Sequence, residues 1–205
     1  MTLLMVKAWR TALEVKSFRV KIIISGILLV FCTFTAPVLF QFIQQKDGPV
    51  LQDYLLLYLP VFDLSVWIFL LLYFLILLGV LSLLSNPHRF LLALQAYIIL
   101  TILRFITILL VPLNPPIHII ELNDPFVQHF FYKQTVTKDL FFSGHTSFLV
   151  LMALTVPSTR LQIVFFAGAL IVALMLLLQH VHYTIDILLA PLFSWLAIAL
   201  AKKVP

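Results

Sequence analysis

Apolar residues occupy most of the chain in runs of about 18 to 25, the length of helix that crosses about 30 Å of hydrocarbon. Short polar stretches separate these runs. Because a membrane-crossing backbone must satisfy its hydrogen bonds internally, this alternation predicts an all-α integral membrane protein. We expect a single domain, 1–205, with six transmembrane helices at about 22–43, 64–85, 90–112, 140–157, 161–180 and 183–200.

Four segments need a separate interpretation. Residues 1–21 mix cations with apolar residues, which predicts an interfacial amphipathic helix before an uncleaved first span. Residues 51–62 precede Asp63 and are predicted to be interfacial or re-entrant, and "NPHR", 86–89, is predicted to be a tight turn. The apolar stretch 161–200 would form a helix of about 60 Å, twice the bilayer thickness, so it should break at "QHVHYTID".

Composition supports a membrane protein, since 63% of the residues are apolar and only 10% are charged. The net charge of +5 reflects topology and does not indicate a nucleic-acid partner. Lys46, Lys133 and Lys138 fall on the predicted outer side. The predicted cytoplasmic side, which holds both termini, carries a larger set of cations: Lys7, Arg10, Lys16, Arg19, Lys21, Arg89, Arg160, Lys202 and Lys203.

Ionisable residues inside the predicted spans fall near one level. Under this topology His145, His180, His182 and Asp186 lie at the outer ends of their spans, and Arg104 lies about 12 Å below the outer surface. Such side chains are costly in lipid, so they usually face one another or a water-filled cavity. We therefore expect a polar site near the outer face.

The residue types in this cluster suit phosphoryl transfer. His182 and Asp186 are four residues apart, so a helix places them on one face, where the carboxylate fixes the imidazole tautomer. His182 is then a candidate nucleophile or base, and His145, from another helix, is the candidate for the complementary acid. Ser143-Gly144 allows a tight turn with backbone amides available for an anion.

Arg104 is a candidate ligand for a phosphate oxygen. Structural explanations exist for each residue: an interhelical hydrogen bond for His180, a simple turn for Ser143-Gly144, and a snorkelling or paired cation for Arg104. The pair formed by His182 and Asp186 has a structural alternative too, as an interhelical polar lock. Their convergence at one depth favours a catalytic site.

Two stretches, "KDLFFSGHT" and "HVHYTID", resemble the sphingomyelin synthase family of the lipid phosphatase/phosphotransferase superfamily, typified by type 2 phosphatidic acid phosphatases. The family motif D-x-x-x-S-G-H-T is matched by Asp139, Ser143, Gly144, His145 and Thr146. The motif H-x-H-Y-T-x-D is matched by His180, His182, Tyr183, Thr184 and Asp186. A third motif fits Arg104, Thr107 and Pro112, whereas P-L-P-D is matched poorly by "VLQD", where only Leu51 and Asp53 agree. The resemblance covers about 50–203.

The resemblance implies a metal-independent, six-span head-group transferase acting at the outer leaflet, without a cofactor. His182, oriented by Asp186, would attack the phosphorus of a phospholipid donor, and His145 would protonate the leaving diacylglycerol. A lipid hydroxyl or water would then accept the head group from the phosphohistidine. The expected substrate-binding residues are Arg104, Asp139, Ser143, Gly144, Thr146, His180, Tyr183 and Lys138.

Several alternatives stay open. With Arg104 as the one cation inside the spans, a monoanionic phosphodiester fits better than a dianionic phosphomonoester, which favours a phosphotransferase or a phospholipase-C-like enzyme. A lipid phosphate phosphatase is the second enzymatic interpretation, although the chain lacks that branch's K-x₆-R-P motif. The third is a non-catalytic lipid-binding membrane protein. We expect a bacterial cytoplasmic membrane, with the site facing the periplasm.

Overall fold

The computed structural model describes residues 2–124 and 136–204. Within these residues all regular secondary structure is helical. The eight helices of this part of the chain are α1 (Thr2–Glu14), α2 (Lys16–Gln44), α3 (Tyr54–Tyr58), α4 (Ser65–Leu84), α5 (Pro87–Leu110), α6 (Gly144–Thr155), α7 (Thr159–Leu178) and α8 (Thr184–Ala201).

Five helices, α2, α4, α5, α7 and α8, are long and apolar enough to cross a membrane. The remaining predicted span, the fourth at 140–157, corresponds to α6, which is apolar but has only 12 residues. These helices confirm the prediction of an all-α integral membrane protein with about six membrane helices. The assignment of 1–205 to one domain stays a prediction.

Residues that cap the helices explain why α5 and α6 begin or end at positions different from the predicted ones. The "NPHR" stretch is the first turn of α5, because Asn86 Oδ1 accepts a hydrogen bond from Arg89 N at 3.1 Å and Pro87 stands at the start of the helix. The predicted span 140–157 forms a helix only from Gly144 to Thr155. Ser143 caps its start, and at its end Val156 is extended before a proline, as that position favours.

The N-terminal region also differs from the prediction of one interfacial helix over 1–21. Helix α1 ends at Glu14, Val15 is extended, and α2 begins at Lys16, so the last cations of this region belong to the first membrane helix. The stretch 51–62 forms only the single-turn helix α3. Lys133, predicted to lie on the outer side, falls outside the described residues.

Hydrogen bonds join the ends of neighbouring helices at each end of the bundle. At the end that holds both termini, Trp9 Nε1 donates to Leu84 O at 2.8 Å, and Lys21 Nζ donates to Val204 O at 3.5 Å. The start of α5 also meets the end of α6 there, through Arg89. This grouping is the one that six alternating spans require, and the assignment of this end to the cytoplasm stays a prediction.

Helix α6 is the centre of the bundle. It packs against α4, α5, α7 and α8, and eight of its 12 residues are buried. Its buried residues Leu149, Val150, Met152 and Ala153 join the main hydrophobic core with residues of α4 and α7. A short helix is stable here because its neighbours, and not lipid, surround most of its surface.

Arg89 caps the carboxyl end of α6 from the start of α5. Its Nη1 donates to Thr155 O at 3.3 Å and to Val156 O at 3.0 Å. We expect Arg89→Met to lower the free energy of unfolding by about 1 kcal/mol, since two terminal carbonyls lose a charged donor. Thermal unfolding in detergent measures this. Arg160→Met, which removes an exposed arginine at the start of α7, is the control, and equal losses in both variants would contradict the capping role.

Candidate active site

The segment that leads into α6 is not helical, yet it is largely buried beside α5. Its carbonyl groups therefore need donors from neighbouring side chains. Arg104 Nη2 donates to Asp139 O at 3.3 Å and Arg104 Nε donates to Phe142 O at 3.1 Å. Thr107, one turn further along α5, donates from Oγ1 to Phe141 O at 3.0 Å. Arg104 and Thr107 thus hold the backbone that precedes the first histidine motif.

Arg104 also forms an ion pair within this motif. Its Nη2 lies 2.7 Å from Asp139 Oδ2, and both side chains are mostly buried. The guanidinium group lies directly against the backbone of Gly144, where a Cβ atom would stand only 2.6 Å from the guanidinium carbon and from Nη1. Any side chain at this position would push the guanidinium away from its contacts with the segment before α6.

His145 follows in the first turn of α6 and is partly buried. Its Nδ1 atom is buried without a hydrogen-bond partner. The ring meets Phe69 edge-on with the centroids 6.1 Å apart. His145 and Arg104 line the same cavity. Of the five residues that the sequence placed at one depth, the structure therefore brings Arg104 and His145 together.

The second histidine motif forms a buried pair at the start of α8. His182 Nδ1 lies 3.4 Å from Asp186 Oδ2, which also accepts a hydrogen bond from Tyr183 N at 3.0 Å. A proton on Nδ1 leaves the lone pair on Nε2, the nitrogen suited to nucleophilic attack. Ser143 N donates to Asp186 O at 3.1 Å, so the starts of α6 and α8 are joined directly.

His180 lies in the turn before α8 with a left-handed backbone, at a φ of 54°. Its Nδ1 lies 3.2 Å from Ile117 O, which ties this turn to the loop after α5. Its Nε2 is buried and unpartnered. His180 therefore has both a structural contact and an unsatisfied ring nitrogen.

Unsatisfied buried polar atoms mark the site. In residues 2–124 and 136–204, the buried side-chain nitrogen and oxygen atoms that lack a hydrogen-bond partner are Asp139 Oδ1, His145 Nδ1, His180 Nε2 and Asp186 Oδ1. Buried polar groups are normally hydrogen-bonded, so unsatisfied ones need an explanation such as a ligand. All four belong to residues that the sequence predicted for the site.

Other predicted substrate-binding residues have contacts within the fold. Lys138 Nζ donates to Lys46 O at 2.6 Å and lies 3.3 Å from Asp47 Oδ1, in the loop after α2. The Tyr183 hydroxyl donates to Asn114 O at 2.8 Å. Thr146, which is buried, bonds Ser143 within the cap of α6. These contacts explain the residues structurally and leave their role in substrate binding a prediction.

Asp53 is a supporting residue that the sequence analysis did not assign to the site. Its carboxylate accepts hydrogen bonds from Thr184 N at 2.6 Å and from Thr184 Oγ1 at 2.9 Å, at the first turn of α8. It also accepts from the amides of Leu55 and Leu56, which caps α3. The weak match of "VLQD" to the family motif was the available signal. Asp53 thereby fixes the helix that carries Asp186.

Gln179 is a second residue that the sequence analysis missed. It is fully buried, and its Nε2 donates to Ser65 Oγ at 2.8 Å and to the carbonyls of Ile120 and Glu121. Its Oε1 accepts from Leu64 N at 3.0 Å. One side chain thus ties the turn before α8 to the start of α4 and to the loop after α5. An amide beside His180 in an apolar run was the only signal.

An apolar cavity of about 300 Å³ adjoins the site. Arg104 and His145 are its ionisable lining residues in the described part of the chain, and Thr101 and Ser147 add hydroxyl groups. The rest of its wall comes mostly from apolar residues of α2, α4, α5 and α6, among them Phe40, Leu72, Leu100 and Phe148. The polar cluster therefore opens onto a space that suits hydrocarbon.

Residues 138–203 match the family model described as PAP2 superfamily C-terminal. This segment is about a third of the chain and contains both histidine motifs. A comparison with curated proteins found no match. The family match supports the type 2 phosphatidic acid phosphatase superfamily, whose members transfer or hydrolyse phosphate groups of lipids, and the sphingomyelin synthase branch stays a prediction.

The Asp53 contacts generate a test of how α8 is positioned. Burial would raise the pKa of Asp53, but the hydrogen bonds from Thr184, Leu56 and Leu55 outweigh it and hold the pKa below its ordinary value of 3.8. A lowered folded pKa means that the stabilisation is present above this value and is lost as the pH falls through the folded pKa. Asp53→Asn should therefore destabilise the protein by about 1–2 kcal/mol at pH 7, and by progressively less below pH 3.8.

Thermal unfolding in detergent between pH 3 and pH 7 measures the difference. Asp47→Asn is the matched control because it removes the same charge from a side chain that is 97% exposed. If Asp53→Asn and Asp47→Asn gave the same small change at pH 7, the anchoring role of Asp53 would be wrong.

Proposed function

We propose that the protein is a membrane enzyme that transfers a phosphorylated head group from a phospholipid through a phosphohistidine on His182. The observation that carries this proposal is the set of unsatisfied buried atoms on Asp139, His145, His180 and Asp186, all of which belong to the two histidine motifs. The match to the PAP2 superfamily supports the same class of chemistry.

The proposed reaction has two steps. His182 Nε2 attacks the phosphorus, the bond to the diacylglycerol oxygen breaks, and His145 donates the proton that this oxygen takes up. Asp186 stabilises the His182 cation through Nδ1 during attack. His145 then removes a proton from a lipid hydroxyl or water, which attacks the phosphorus while the nitrogen–phosphorus bond breaks.

The cavity beside His145 supports a lipid substrate. A phosphate held near Arg104 and His145 would place its attached hydrocarbon against the apolar wall that α2, α4, α5 and α6 provide. Gly144 allows the guanidinium to lie at the edge of this space. We propose that Arg104 binds a phosphate oxygen through Nη1 while Nε and Nη2 keep their contacts with the segment before α6.

The distribution of cations favours a phosphodiester over a phosphomonoester. Of Arg104 and Lys138, the cations considered for the site, only Arg104 lines the cavity in the part of the chain that the structure describes. Lys138 is held by the loop after α2. A phosphodiester carries one negative charge and needs fewer cations than a phosphomonoester. We therefore propose phosphotransferase or phospholipase-C-like activity at the predicted outer face, ahead of a lipid phosphatase.

A product assay tests the reaction. Purified protein in mixed phospholipid micelles should form diacylglycerol or a new head-group lipid, and His182→Ala should lower the rate by about 10³-fold or more, since it removes the nucleophile. His88→Ala, which removes an exposed histidine from the first turn of α5, is the matched control and should keep the full rate.

The products distinguish the alternatives. Inorganic phosphate released from a lipid monophosphate, and lost in His182→Ala, would replace the proposal with a phosphatase. Turnover that survives in His182→Ala would contradict the phosphohistidine. Absence of turnover with every phospholipid and acceptor tried would favour the non-catalytic lipid-binding protein.

The two-histidine mechanism also predicts a bell-shaped dependence of kcat/KM on pH. One histidine must be neutral for attack while the other is protonated for acid catalysis, so activity falls on both sides of an optimum. Because the histidines interact, the two limbs belong to the pair and not to single residues. Rates measured in buffers of constant ionic strength from pH 5 to pH 9 provide the test, and a flat profile would count against this mechanism.

A further inference from the structure

A second lipid-facing feature lies at the opposite end of the bundle from the histidines. It is a groove of about 990 Å³ between α2 and α5, bordered by Val204 after α8. Lys16 and Lys21 stand at its entrance on the first turns of α2. Its deeper walls are formed chiefly by apolar residues, including Ile24, Leu28, Ile98, Ile99 and Ile102.

The charge of the groove is positive. Both ionisable side chains that line it in the described residues are lysines, and the other polar lining side chains are Ser17, Ser25 and Gln95. Lys16 is exposed, and Lys21 is partly exposed with its Nζ 3.5 Å from Val204 O. Two ammonium groups above an apolar groove complement a ligand that has an anionic head and a hydrocarbon chain.

The dimensions of the groove fit one leaflet. From Lys16 to Leu28 the wall on α2 rises by about 18 Å. Half of a hydrocarbon core is about 15 Å thick. The lysines therefore stand at the depth of the head groups when the apolar wall lies along the acyl chains. The positive end of the α2 dipole at the same place adds to the attraction for an anion.

The groove is separate from the site of the histidines. It uses Ile98, Ile99 and Ile102 of α5, whereas the cavity beside His145 uses Thr101 and Arg104 of the same helix. The two spaces thus lie on different faces of α5, and the lysines lie at the end of the bundle predicted to be cytoplasmic. Occupancy of the groove does not depend on the chemistry proposed for His182.

We propose that this groove is a binding site for an anionic phospholipid of the surrounding bilayer, in the leaflet opposite to the histidines. The head-group phosphate binds Lys16 and Lys21, and an acyl chain lies along Ile24 and Leu28. The lipid thereby fills the seam between α2 and α5.

Native mass spectrometry of the protein in an uncharged detergent tests the proposal. Phosphatidylglycerol and phosphatidylcholine with identical acyl chains are titrated separately. The wild type should bind its first phosphatidylglycerol about 10-fold or more tightly than its first phosphatidylcholine. The double variant Lys16→Gln, Lys21→Gln should lose about 30-fold in affinity for phosphatidylglycerol. Equal affinity of the wild type for the two lipids would overturn the proposal.

Two further variants locate the lipid. Lys7→Gln removes one lysine charge from α1, outside the groove, and should leave the affinity for phosphatidylglycerol unchanged. If this variant lost as much affinity as the double variant, the attraction would be a general property of the charged surface, and the proposed site would be wrong. Ile99→Trp, which fills the groove, should weaken the binding of both lipids. If His182→Ala and not Ile99→Trp abolished phosphatidylglycerol binding, the lipid would occupy the histidine site and the proposal would be wrong.

Discussion

The carbonyl groups of Asp139, Phe141 and Phe142 impose the constraint on which the site depends. A non-helical backbone at the depth of a membrane must find donors inside the protein. Arg104 and Thr107, one turn apart on α5, supply them. The absence of a side chain at Gly144 lets the guanidinium come this close to the backbone. Arg104, Thr107 and Gly144 thus together allow the non-helical segment before α6 to be buried with its carbonyl groups hydrogen-bonded.

The histidines are positioned by backbone contacts and not by each other. Ser143 N donates a hydrogen bond to Asp186 O. This backbone hydrogen bond joins the starts of α6 and α8. Asp53 holds the first turn of α8 from outside, and Asp186 orients His182 from within the helix. The ring nitrogens of His145 and His180 that stay unsatisfied are therefore held in place by a hydrogen-bonded framework.

Hydropathy predicted most of the fold because length and apolar content decide whether a helix crosses a bilayer. The cost of ionisable residues in lipid likewise led to the prediction of His145, His182, Asp186 and Arg104 as site residues, and their catalytic roles stay a prediction. The α5 start was mispredicted because Asn86 and Pro87 favour a turn and a helix cap equally. Asp53 and Gln179 were missed because their contacts reach across the bundle, and no local pattern reveals such partners. The short length of α6 depended on tertiary packing in the same way.

The shortness of α6 has a consequence for the membrane itself. A helix of 12 residues is about 18 Å long, whereas the hydrocarbon core is about 30 Å thick. His145, at its start, therefore lies below the plane that the neighbouring helices reach. A lipid whose phosphorus meets His145 has to sink into a depression, or the leaflet has to thin around it. Under the proposed mechanism, the rate of turnover would then depend on bilayer thickness, so the acyl-chain length of the surrounding lipids would regulate it without binding to the protein.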